Sequence, residues 1–167
     1  MLEELKADNK LLESLDFGHE EDIIDGFVSR YNVSIEEAEE ILDETKKWLW
    51  LASQTQNDDV TGLVMDKPLM IIDEMWHNFI LYTKHYQKFC LERLNKFIHH
   101  IPTPSWAKKD MEILSSDNIN SEIDKINEDK YKQLSFIYDK LGPETVIKWY
   151  EEYPSKYTPD YIASIRK

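Results

Sequence analysis

Between Pro68 and Pro102 the chain carries neither glycine nor proline, and from Leu69 to about Ile98 its apolar residues keep a helical period. Glycine is scarce throughout, with four in 167 residues. The expectation is an all-α fold: one compact multi-helix domain over residues 1–167 with a C-terminal helical extension. Pro68 suits a first helical turn, where a missing N–H costs little, and Asp66 is a candidate cap before it. The stretch reads either as one long helix or as two, broken near Thr83, whose hydroxyl is a candidate cap for the second.

The flanking segments read the same way. Leu2, Leu5, Leu12 and Leu15 share one helical face, and Gly18 closes that element. A second helix carries Ile23, Ile24, Phe27, Val28 and Tyr31, weakened by Gly26 and closed by Asn32. Ser34-Ile-Glu-Glu37 has the form of a capping box. It opens a helix over about 35–54 with a buried stripe of Ile35, Ala38, Ile41, Leu42, Thr45, Trp48, Leu49 and Ala52, widened by Trp50 and Leu51. Gln54 to Asp59, extended by Gly62, reads as a loop. Pro102 and Pro104 stop the central helix, and Trp106 to Leu114 is irregular or a short helix. Residues 115–128 are polar and read as a surface loop or a lightly anchored helix. Helices fill 129–167: Tyr131, Leu134, Tyr138 and Leu141 mark one face, Gly142-Pro143 a boundary, Pro154 a stop and Thr158-Pro159 a last start.

The formal charge of −13 repels phosphate backbones, which excludes nucleic acid as the expected partner. Such a charge keeps a helical protein soluble, and it also fits a basic protein or peptide partner. The single Cys90 forms no intrachain disulfide and suits a reducing compartment. The acidic first residues lack a signal-peptide pattern, and no apolar run reaches membrane-spanning length. The expected location is cytoplasmic, without membrane contact.

The central stretch, 66–102, also concentrates the chemistry, with four of the five histidines and the only cysteine. Asp73 and His77, four apart, lie one above the other on a helix. A carboxylate and an imidazole so placed bind one metal ion, or the carboxylate fixes the imidazole tautomer. A metal needs further ligands, and His85, Cys90, His99 and His100 are the candidates, with Zn²⁺ suited to an N/O/S set. An unbroken helix would hold Asp73 and His99 on the order of 39 Å apart, so a shared site requires the break near Thr83. Each residue also has a plain structural reading. Asp73–His77 is then a buried polar pair, Trp76 and Phe79 are core, and Cys90 is a small buried hydrophobe. His99-His100 caps a helix C-terminus, and His19 is a solvated side chain in an acidic segment. Glu74 points about 100° away from Asp73 on a helix and makes a poor acid/base partner.

Asp73-x-x-Trp76-His77, followed by Leu81, Tyr86 and Cys90, resembles the signature of the glycine-rich domain-containing protein-like family. The Phe97-Ile-His-His-Ile-Pro102 segment is similar to one in its small bacterial members. Trp76, Leu81 and Tyr86 are expected as packing residues of the motif, and the resemblance adds weight to a polar or metal centre drawn from Asp73, His77, Cys90, His99 and His100. Many members carry a second histidine where this chain has Phe79, which removes a potential ligand. Plant members often have proline where Thr83 stands, which supports a break there. The glycine-rich region itself is absent, and the resemblance implies no reaction.

The functional expectation is a small binding or accessory protein whose Asp/His centre is structural or binds a metal. One alternative is a metal-dependent hydrolytic enzyme, which needs an accessible cleft beside His77 and the His99-His100 pair. Another is an interaction module for a basic partner, with Trp106, Trp149 and Tyr150 lining a groove.

Overall fold

The computed structural model describes residues 2–55, 63–101 and 119–167, with side chains described for 7–55, 63–101 and 124–167. Among these residues the regular structure is helical: α1 (Leu2–Ser14), α2 (Glu20–Arg30), α3 (Ile35–Gln54), α4 (Met70–Leu81), α5 (Thr83–Arg93), α6 (Ile119–Leu141), α7 (residues 143–156) and α8 (Pro159–Ile165). A 3₁₀ turn, Lys67–Leu69, leads into α4. No strand occurs among the described residues; the one extended pairing is an isolated bridge between Tyr31 and Arg166. The expected loop after Gln54 and the segment around Trp106 lie outside the described residues.

α3 is the central element and packs on α1, α2, α4 and α6. Ser34 Oγ accepts from Glu37 N–H at 3.1 Å, which starts it as the capping box implies. The Glu37 carboxylate does not complete the box; it accepts from the Tyr157 hydroxyl at 2.6 Å and pairs with Lys156 at 3.0 Å. Ala38, Ile41, Leu42, Thr45, Trp48, Leu49 and Leu51 are buried, while Ile35, expected in that stripe, is exposed in the first turn. The far side of α3 carries a buried charge: Glu44 accepts from Lys47 at 3.1 Å, Lys148 at 3.0 Å and the Trp149 indole at 2.7 Å.

The central pattern resolves into two helices. α4 ends at Leu81, Tyr82 leaves the helical region (φ −87°, ψ 62°), and α5 starts at Thr83. The break therefore falls one residue before Thr83, and no side chain caps α5. At the break the Tyr82 ring sits against Gly26 of α2, where a Cβ would fall 2.1 Å from its hydroxyl oxygen. Gly26 thus makes room on α2 for that ring. The second helix also stops early. Asn95 turns the chain out of α5 at φ +53°, with Lys96 N–H returning to the Cys90 carbonyl at 3.1 Å.

Other expectations are corrected by tertiary contacts. Asp66 makes no capping bond, and one of its carboxylate oxygens is buried without a partner among the described residues. Burial raises that carboxyl, with Lys130 opposing. α6 begins at Ile119, inside the polar stretch, and its buried face is Gln133, Phe136 and Ile137; Tyr131 and Tyr138 are exposed. Gln133 decides that rotation by bonding Val64 through both its amide oxygen and nitrogen, and the Tyr150 hydroxyl through its nitrogen. Pro154 does not stop α7: a π-helical segment, Lys148–Glu152, precedes it and absorbs the lost N–H bond. α8 starts as expected, with Thr158 Oγ1 accepting from Tyr161 N–H at 3.2 Å.

Candidate functional site

α4 carries Asp73 and His77 one turn apart, so both side chains leave the same helix face. His77 Nδ1 stands 3.7 Å from Asp73 Oδ2. The break at Tyr82 lets the chain after α5 return, and His100 arrives with Nε2 at 2.8 Å from Asp73 Oδ1. The His77 and His100 rings stack at 4.5 Å and 14°, and His100 also lies 4.1 Å from the Trp76 ring. One ligand atom from each of Asp73, His77 and His100 lies within 4.8 Å of the others. The His77 side chain is 53% exposed and that of His100 16%, so one imidazole faces water and the other the protein.

A buried relay holds His100 in place. The Trp76 indole N–H donates to the Tyr86 hydroxyl at 3.0 Å, and that hydroxyl donates to the Ile98 carbonyl at 2.5 Å. Burial raises the Tyr86 hydroxyl far above the usual phenol range, so it stays a donor. Ile98 is itself buried, which fixes the backbone two residues before His100. Motif spacing marked Trp76 and Tyr86 as packing residues; the hydrogen-bond relay through them is a property of the folded pair α4–α5.

The other expected site residues stand apart. Cys90 is fully buried; burial raises its thiol, which disfavours the thiolate a metal would need. His99 is exposed, with its ring against Phe97 at 4.9 Å. It does not cap a helix, because α5 has already ended at Arg93. Leu81 is 62% exposed at the end of α4, not packed. His85 pairs with Asp22 at 3.0 Å, away from Asp73. Glu74 is held by the Tyr31 hydroxyl and by Arg166 at 2.9 Å, which fastens the C-terminus and leaves it no role beside His77. Trp149 is fully buried and lines no groove; Trp106 lies outside the described residues.

A cleft of about 400 Å³ adjoins His100, lined by Ile80, Thr83, Tyr86, Gln87, Phe97 and the two adjacent histidines. Among the described residues no carboxylate lines it.

A family model described as UCP032817-like matches residues 9–140. The chain belongs to the UCP032817-like family. The match spans Asp73, His77 and His100 together with the Trp76–Tyr86–Ile98 relay, and stops short of α7 and α8. It corrects the resemblance to the glycine-rich domain-containing protein-like family. That resemblance rested on a few positions of one broken helix pair, where Trp76, Tyr86 and Cys90 serve packing and hydrogen bonding. No curated protein and no solved structure matches the chain. No helix among the described residues of this UCP032817-like protein is long and apolar enough to cross a membrane.

Proposed function

We propose that this chain is a small helical binding or accessory protein whose Asp73–His77–His100 centre holds a divalent transition metal, Zn²⁺ by its donor set. The observation that carries the reading is the convergence of a carboxylate and two imidazoles from segments separated by the α4–α5 break. Ligands of tetrahedral Zn²⁺ stand about 3.3 Å apart. The Asp73 contacts to His77 and His100, 3.7 and 2.8 Å and made by different carboxylate oxygens, bracket that spacing, and coordination by both imidazoles turns their rings out of the stack. The exposed edge of His77 leaves a coordination position for water or a partner's side chain. Residues 1–167 act as one domain in this reading, and the lone buried Cys90 suits the cytoplasm.

Binding is favoured over hydrolysis. The cleft beside His100 offers a largely apolar surface without a carboxylate among the described residues, and Glu74 is engaged elsewhere. A second reading has its own support: the 2.8 Å Asp73–His100 bond closes the centre without an ion and pins the segment after α5. Zn²⁺ alone, titrated calorimetrically into wild type, His77→Ala and Asp73→Asn, separates the two. A Zn²⁺ equivalent weakened at least about tenfold by each substitution supports the metal reading. Unchanged Zn²⁺ binding, with Asp73→Asn merely less stable, leaves the polar clasp.

A further inference from the structure

The same constellation occurs twice in the fold. His85 of α5 places Nε2 at 3.0 Å from Asp22 Oδ2 in the first turn of α2. His19, which immediately precedes α2, stacks on His85 at 4.3 Å and 20°. This repeats the Asp73–His100 bond and the His77–His100 stack almost dimension for dimension. Here too one ligand atom from each residue lies within 4.8 Å of the others. The sequence hid this cluster, since His19 and His85 are far apart and His19 reads as solvated. In the fold it is partly buried.

The surroundings differ from the first centre. His19 and Asp22 line a cleft of about 600 Å³ that also receives Glu13, Asp16, Glu21 and Asp43. Among the described residues Lys46 is the one cation lining it, and it is already held by Asp43 at 2.9 Å and Glu20 at 3.7 Å. The remaining carboxylates give the cleft a negative field, which concentrates cations at its mouth. Imidazole nitrogens select for a transition ion over Mg²⁺ or Ca²⁺, which prefer all-oxygen shells.

We propose that His19, Asp22 and His85 form a second divalent transition-metal site, which clips the start of α2 to α5 and opens onto the acidic cleft. It uses none of the residues of the Asp73 centre and stands or falls separately from it. An ion bound there stabilises the fold by mass action, because it bridges elements that only the folded chain brings together.

The test uses the full chain carrying His77→Ala, which disables the first centre, and Zn²⁺ alone. Calorimetry is expected to find one equivalent in that protein, with a Zn²⁺-dependent rise in Tm. Adding His85→Ala or Asp22→Asn is expected to weaken that equivalent at least tenfold and to remove the rise. Asp22 is an exposed side chain, so Asp22→Asn keeps the fold, which far-UV circular dichroism verifies. No Zn²⁺ bound by the His77→Ala protein, or an equivalent that survives both additions, overturns the proposal. If wild type and His77→Ala bind alike and His85→Ala alone abolishes binding, the second site stands and the first does not.

Discussion

The Tyr86 hydroxyl donates to the Ile98 carbonyl across the gap between α5 and the segment that follows it. Through this bond one buried side chain sets the position of His100, two residues further on. Tyr86→Phe keeps the ring but strands the Trp76 N–H and the Ile98 carbonyl. The expected loss is about 2 kcal/mol of unfolding free energy, read from urea denaturation. Zn²⁺ affinity at the Asp73 centre is expected to fall as well, although every ligand is still present. Intact affinity with the full stability loss would show that the relay does not position His100.

Gly26 and Tyr82 reverse an ordinary rule. Alanine in a helix interior is normally better than glycine by roughly 1 kcal/mol. At position 26 the new methyl meets the Tyr82 ring, so Gly26→Ala is expected to destabilise by about 1–3 kcal/mol. In a Tyr82→Ala background the same substitution is expected to recover its usual sign. Thermal melts of the four proteins of this cycle decide the matter; additive effects would mean the two residues do not meet.

Glu44 is the buried hub between α3 and α7. Glu44→Gln is expected to cost about 3 kcal/mol, since Lys47 and Lys148 lose their shared carboxylate in a region largely shielded from water. The pH dependence has a definite sign. Burial lowers the Lys148 ammonium, but Glu44 and Glu40 outweigh it and hold the group above its ordinary 10.5. A raised folded value stabilises fully below the unfolded one and is lost as pH climbs through the folded one. Tyr153, Tyr157 and Tyr31, all raised by burial first, titrate in the same direction. Urea midpoints are therefore expected to decline as pH rises past about 10, the range in which unfolded tyrosine and lysine titrate. The Lys148 part of that decline is expected to shrink in Glu44→Gln, where Glu40 alone still pairs with the ammonium.

Cys90 is expected to behave as a core residue. Its thiol is fully buried and raised by that burial, so a thiol reagent at pH 8 must wait for the fold to open. Labelling of native protein is expected to run at least about a hundredfold slower than in urea. Rapid native labelling would contradict the packing of Cys90 beneath the relay.

Sequence by itself determined the helical class, because a long stretch without glycine or proline and with a helical apolar period leaves little else. It also determined the caps at Ser34 and Thr158, whose bonds reach only three residues along the chain. It singled out Asp73 and His77, because helical spacing alone aligns them. Tertiary structure alone chose His100 over His99 and Cys90 as their neighbour. That choice depends on the Tyr82 break, which the sequence offered near Thr83 as one of two readings, on the left-handed turn at Asn95 and on the Tyr86–Ile98 bond, which joins residues twelve apart and has no short-range signature. The same limit hid the His19–Asp22–His85 cluster and the true buried face of α6. Periodicity states which residues share a face of one helix; which face turns inward, and what meets it there, is decided by partners distant in the chain.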